Sequence, residues 1–320
     1  MPPRRHAAVA SGHMTKSDKN YCFRRSLHEG HRPPVSLPIF DRARIDHIIH
    51  FSLSSEETWA QYEKLGFALG PETSFSEAAK DVHSRLLNFG HTRVELMAMR
   101  PGGDPTSFQP AQAFIALRKS GLFGLAITTP DDDNGSTRAQ RSGVVAAGQM
   151  SFDSKNTEGE GSSYTLSFYY DPNVALSFVQ AAPFEPAPAA QHPNGVTRVH
   201  GLTYVAEDPS KTRGTAAFIG GADVRERDGA LYWNDRAGLE CACLSPEAFN
   251  AAYGGLLGDD RWPSAYMALI TCMTADLEGL QARLEEAGIA YKKLDRDRIV
   301  IDREAGCGAM IEFVSEAPVR

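Results

Sequence analysis

The chain has 320 residues, 42% hydrophobic and 23% charged, enough for two domains or one large one with a sizeable core. Its formal charge of −7 is uneven. The first 37 residues carry Arg4, Arg5, Lys16, Lys19, Arg24, Arg25 and Arg32 against Asp18 and Glu29, so the acidic remainder argues against a nucleic-acid-binding body. No apolar stretch nears the roughly 20 residues a bilayer demands, which excludes an integral membrane helix. Residues 1–37, basic and without an apolar core, read as a flexible leader rather than a secretory signal. Five cysteines in odd number, none in CxxC spacing, fit a reducing, cytoplasmic setting, with Cys241 and Cys243 as buried free thiols.

Ordered structure is expected from residue 38. Residues 43–53 alternate on a period of two, with His47, Ile49 and Phe51 on one face and His50 on the other, under a helix. Ser54 to Glu57 has capping-box spacing, Trp59, Tyr62 and Leu65 recur helically, and Gly66 supplies the stop. Strands follow near 67–71, 84–89 and 93–99. A second unit starts with a strand at 123–128, an acidic turn at Asp131-Asp132-Asp133 and a weak helix, then strands near 148–152, 163–169 and 174–180. The Pro/Ala-rich stretch 181–194 reads as a linker. A third unit opens on a strand at 196–205, has a helix-start signal at Asp208-Pro209, and continues with strands near 221–228, 230–233 and 238–244. The fourth has a strand at 265–273, Thr274 as cap, a helical stripe of Leu277, Leu280 and Leu284, and strands near 289–294, 298–302 and 309–314.

Strand–helix–three strands thus occurs four times, two copies before the linker and two after. The expected fold class is α+β, with four βαβββ modules arranged as two paired-module domains, 38–182 and 196–320, joined by 183–195. Histidines on first strands (His47, His200) and glutamates on last strands (Glu95, Glu240, Glu312) point into shared pockets, the donor mix that holds divalent metals. No GxGxxG after a strand, Walker loop, GxSxG elbow or HExxH competes with this pattern.

The segments Ile45-Asp46-His47-Ile48-Ile49-His50-Phe51, His83 through Gly90, Arg93-Val94-Glu95-Leu96 and His192-Pro193-Asn194-Gly195-Val196 carry a resemblance. They make the chain, over about residues 40–316, similar to the vicinal-oxygen-chelate superfamily and to its glyoxalase-like-domain proteins in particular. The resemblance implies that paired modules form a cup around one metal, with ligands from the first and fourth strands of each module. It places His47 and Glu95 in the amino-terminal cup, with Gly124 and Ser177 at the matching places and His83 as a possible third ligand. In the carboxy-terminal cup it places His200, Glu240 and Glu312, with Ala268 or Leu269 at the fourth position. The implied cofactor is a divalent metal (Fe, Mn, Ni or Zn), the implied partner a small-molecule substrate, and a homodimer stays open.

The function expected first is a metal-dependent lyase or isomerase, the ion polarising a chelated carbonyl while Glu240 or Glu95 moves the proton. A non-haem iron dioxygenase using His47, His83 and Glu95 is the second expectation. A metal-free protein that sequesters a small molecule is the third.

Overall fold

The computed structural model describes residues 41–76, 79–108, 111–129, 135–175, 177–180, 188–258 and 264–316. The leader 1–37, the acidic run at 131–133 and linker residues 183–187 lie outside these. Sixteen described strands form two sheets of eight. In the first, β1 (Arg44–Ser52), β2 (Thr73–Phe75), β3 (Val82–Asn88) and β4 (Arg93–Met99) join β5 (Gly121–Thr128), β6 (Val145–Asn156), β7 (Gly161–Tyr170) and β8 (Ser177–Gln180). Their order β1-β4-β3-β2-β6-β7-β8-β5 closes into a barrel. In the second, β9 (Val196–Val205), β10 (Arg225–Arg227), β11 (Ala230–Asn234) and β12 (Glu240–Leu244) join β13 (Tyr266–Thr274), β14 (Lys292–Lys293), β15 (Arg298–Ile301) and β16 (Met310–Ser315). That sheet stays open, in the order β10-β11-β12-β9-β13-β16-β15-β14. The expected α+β class and the paired-module arrangement are both met.

Each module is a hairpin set beside a first strand, which pairs in parallel with its own last strand and antiparallel with the first strand of its partner module. Thus β1 lies between β4 and β5, and β9 between β12 and β13. Strands enclosed on both sides must be apolar on both faces. Accordingly Ile49 and Phe51 face the barrel interior with Met97, Met99, Phe123 and Phe152. Ile45, Ile48, Val94, Leu125 and Ile127 face outward into a larger core shared with the outer face of the second sheet. Four helices fill that shared layer: α1 (Ser55–Lys64), α3 (Gly135–Ser142), α4 (Arg213–Gly220) and α6 (Leu277–Glu286). Two others, α2 (Gln112–Arg118) and α5 (Pro246–Tyr253), connect the modules of each pair and are additional to the elements expected from periodicity.

Ser54 caps α1 by accepting from the Glu57 amide, as its spacing predicts, and Asp208 caps the 3-10 turn at Pro209–Thr212. The cap of α6 is Asp276, not Thr274, because only the Asp276 carboxylate reaches the Gly279 amide. Three predicted strands are misplaced or shortened: β2 lies at Thr73–Phe75 instead of 67–71, while β10 and β14 keep only three and two residues of their expected runs. The described end of the linker is not a free tether. Asn194 donates its amide to Gly66 O and its Nδ2 to Leu65 O, Ala190 donates to Asn88 O, and His192 Nδ1 accepts from Ala68 N.

Buried polar groups fasten the two sheets. Asp235 accepts from Ile45 N at the start of β1 and from Leu239 N. Asp171, after β7, accepts from both N and Oγ1 of Thr215, and so caps α4 of another module. His50, as expected, packs beneath α1 on Tyr62. Its Nε2 meets the carbonyl of Cys307. No described helix is long and apolar enough to cross a membrane. Cys241, Cys243 and Cys272 are buried free thiols, as expected for the first two.

Burial, only partly offset by backbone hydrogen bonds to Cys307 and Gly306, lowers the His50 pKa to about 4. The unfolded chain, with its histidine near 6.5, then binds more protons across that window. Stability from keeping His50 neutral is complete above about 6.5 and lost as pH falls towards about 4, amounting to about 3 kcal/mol. Urea melts of wild type and His50→Gln at pH 7 and pH 4.5 should show the variant losing less stability on acidification. Equal losses would refute this assignment.

Candidate functional site

A β-bulge decides which side chains enter the barrel. Opposite β5, Ile45 pairs with Ile127 and His47 with Ala126, so Asp46 is the extra residue of β1. A bulge turns two consecutive side chains to one side of the strand. Asp46 and His47 therefore meet, Nδ1 to Oδ2 at 2.8 Å, and His47 Nε2 lies 3.3 Å from Glu95 Oε2. Glu95 pairs with Ile49 on β1 and Leu86 on β3, and also bonds the Ser84 hydroxyl. Arg93 pairs with His47 two residues before Glu95 on β4.

Burial alone would lower the His47 pKa, but hydrogen bonds and charge from Asp46 and Glu95 outweigh it and push it up to about 9. Burial would likewise raise Glu95. The hydrogen bond and charge from His47, the Ser84 hydroxyl and the Arg93 charge hold it below its ordinary value instead. At neutral pH the His47 imidazolium sits beside the Glu95 carboxylate.

Below this polar level the lumen is apolar. Phe75, Met150, Tyr164, Leu166 and Phe168 pack towards Phe51, Met97 and Phe152 yet stay partly accessible. The far end is closed by α2 and the residues before it, Phe108 stacking on Phe51 and Phe114 meeting Phe123 edge-on. On the partner-module side, the residues facing His47 and Ile49 are Ala126 and Gly124, which add little bulk.

His83 does not join this site. Period-two alternation on β3 sends Val82 and Ser84 inward, and hence His83 outward. Its ring lies on Trp59 of α1, at 4.5 Å between centroids, and its Nδ1 contacts Glu72 Oε1 at 2.7 Å.

Bulges also correct the register of the second sheet. Opposite β13, Gly201 pairs with Thr271 and Val199 with Cys272, so His200 is the extra residue of β9. Counted from the bulge, His200 matches Asp46, and the position of His47 falls to Gly201. Glu240 pairs with Gly201 and so matches Arg93, while Ala242 takes the position of Glu95. The bulge residues of β5 and β13 are Phe123 and Ala268, which leaves Gly124 and Leu269 at the histidine position of the other two modules. Val179, rather than Ser177, and Glu312 then match Glu95. The sequence reading could not see these one- and two-residue offsets because a bulge leaves no fixed motif.

His200 and Glu240 stand 3.7 Å apart at the rim, with 65% of the Glu240 side chain exposed. Glu312 is apart from them, since β13 and β9 separate its strand from β12. It is buried, accepts from Thr271 Oγ1 at 2.8 Å and from Arg298 Nε at 2.8 Å, and forms an ion pair with Arg298. The concave face around it is filled by α5 and its exit: Phe249, Tyr253 and Leu257 pack on Val205, Ala268, Leu269, Val300 and Met310. Among the described residues, no group of three His, Cys, Asp or Glu side chains comes together as a metal site.

The fit of the implied divalent ion can be judged from these donors. His47 and Glu95 are spaced like neighbouring ligands, and Asp46 holds Nδ1 as outer-shell carboxylates do. Resident ions, however, use at least three protein ligands. The matching positions in the partner module are Gly124 and Val179, which offer no donor. The residues make half a metal site, and a resident ion does not fit them.

A closed eight-stranded barrel of two βαβββ modules, with a polar dyad on its first and fourth strands, defines the glyoxalase-like class. The profile described as a glyoxalase-like domain matches residues 45–218, and the chain belongs to that family. Solved structures share the fold, at identities too low to carry function. A hypothetical protein from Staphylococcus aureus aligns with TM-score 0.57 and 10% identity, over 85% of this chain and 99% of its own. A mutant of 4-hydroxymandelate synthase from Streptomyces coelicolor aligns with TM-score 0.56 and 11% identity, over 88% and 94%. A xylose isomerase-like TIM barrel/4-hydroxyphenylpyruvate dioxygenase fusion protein aligns with TM-score 0.54 and 12% identity, over 90% of this chain and 51% of its own. No curated protein matches.

In metal-free protein, the His47 imidazole should titrate near 9 by NMR, and Glu95→Gln should bring that value down. The stability this raised pKa confers is fully present below about 6.5 and lost as pH rises through about 9. A His47 resonance titrating below 7 would contradict the dyad. Glu312→Gln should cost roughly 2 kcal/mol in denaturant melts, by weakening a buried ion pair, and leave ligand binding unchanged. Loss of binding without loss of stability would return the second sheet to candidacy.

Proposed function

We propose that the amino-terminal barrel is the working cup and that it binds one small molecule without a resident metal ion. The observation carrying this reading is the donor inventory: one histidine and one glutamate, already paired, with Gly124 and Val179 where a partner module would complete the shell. The partly accessible apolar lining favours a ligand with an apolar body and a polar head at the dyad. The protein then acts as a sequestering binder on the glyoxalase-like scaffold.

A second reading, the metal-dependent lyase or isomerase, is favoured by one contact, the Asp46 carboxylate on His47 Nδ1. In that reading His47 and Glu95 would hold an ion whose remaining positions are filled by the oxygens of a chelating substrate. The ion would supply carbonyl polarisation. Glu240, at the rim of the other sheet, has no part in either reading. The dioxygenase expectation loses its second histidine with His83.

Elemental analysis of protein purified without a histidine tag, paired with a thermal-shift screen of small apolar acids, alcohols and ketones, separates the two. Binding that survives EDTA and is lost in His47→Ala supports the metal-free cup. About one equivalent of metal per chain that appears only with a chelating ligand, and vanishes in His47→Ala, would replace it with the second reading.

A further inference from the structure

Among its described residues module two supplies no histidine or carboxylate to the cup, yet it does supply a polar group. Tyr164 sits on β7 directly opposite Phe152 of β6, and both rings belong to the barrel interior. It is the one residue in that run, Met150, Phe152, Tyr164, Leu166 and Phe168, with a hydrogen-bonding side chain. Its hydroxyl bonds Ser154, and the ring remains partly accessible. Glu95 comes from module one on β4, so the carboxylate and the phenol project into one lumen from opposite halves of the barrel. Burial and then the Glu95 charge both raise the Tyr164 pKa, which keeps the phenol a donor.

The pair differs in chemistry. A carboxylate accepts at about four lone-pair sites, of which His47 and Ser84 use part, and a protonated phenol donates. A group that must donate to one and accept from the other is a hydroxyl. A carboxylate ligand would face Glu95 in repulsion, and a ketone or ether oxygen would leave that oxygen without a donor. Beyond the polar neighbours of Glu95 and the Ser154 hydroxyl beside Tyr164, the walls are aromatic and aliphatic.

We propose that Glu95 and Tyr164 clamp the hydroxyl of a largely apolar, aromatic small molecule, Glu95 accepting its proton and Tyr164 donating to its oxygen. This rests on the barrel being the working cup. Tyr164 is then the contribution of module two to ligand selection, in place of the metal ligands it lacks, and the outcome is discrimination between an alcohol and its ether.

Phenol and anisole, which differ by one methyl at the oxygen, are the probes, with affinities measured by ligand-observed NMR on wild type, Tyr164→Phe and Leu166→Trp. Phenol should bind wild type roughly tenfold more tightly than anisole, as one to two hydrogen bonds allow. Tyr164→Phe should weaken phenol by roughly fivefold, and anisole too, since both oxygens accept from the Tyr164 hydroxyl while only phenol donates to Glu95. Leu166→Trp, which fills the lumen, should abolish both. Equal binding of phenol and anisole, or an unchanged phenol affinity in Tyr164→Phe, would overturn the clamp while leaving the cup intact. Binding that persists in Leu166→Trp, or no binding of either probe to wild type, would overturn the cup and the clamp together.

Discussion

The alternation of β1, shifted once by the bulge at Asp46, governs both halves of this molecule. Beyond the bulge, Ile48 and His50 point out to the layer shared with the second sheet, while His47, Ile49 and Phe51 point into the barrel. Because the side-chain period is two, a slip of one residue would exchange these sets. His47 would leave the lumen, and His50 would enter it. Apolar packing on both faces therefore holds the register that places the dyad. Functional geometry and stability are set by the same contacts.

The second sheet has the same frame and the opposite outcome. Its bulge falls on His200, so the histidine stands where β1 has Asp46, and glycine takes the ligand position. Its edge strands β10 and β14 do not pair as β2 and β6 do, and the sheet stays open. Into the concave face goes α5, with Phe249 and Tyr253 packed on Val205, Leu269 and Met310. Glu312 survives at the position of Glu95, but Arg298 and Thr271 satisfy it. The carboxy-terminal pair thus contributes an outer face to cover the barrel, through Asp235, Thr215 and the loop bearing Cys307.

The repeat was legible because four hydrophobic patterns agree, and because caps such as Ser54 and Asp208 are local. The α1 and α6 stripes, the place of His50 beneath α1, and the inward face of His47 followed from period alone. Strands of two or three residues were placed poorly, since their pairing depends on neighbours distant in sequence. Of the two helices between paired modules, α2 is short and lacks a side-chain cap, whereas α5 carries a local start signal in Ser245-Pro246-Glu247.

For the site, the sequence determined the inventory: one Asp-His pair on a first strand, a glutamate on each of three last strands, and a family whose cups use such positions. It could fix neither which of these face one another nor which remain free. Only the tertiary structure decided that His47 meets Glu95, that His83 lies on Trp59, that Glu312 is tied to Arg298, and that Tyr164 enters the lumen. The reason is physical. Period and composition act along one strand, whereas bulges, closure of a sheet into a barrel and the lodging of α5 in a cup are settled between strands far apart in the chain.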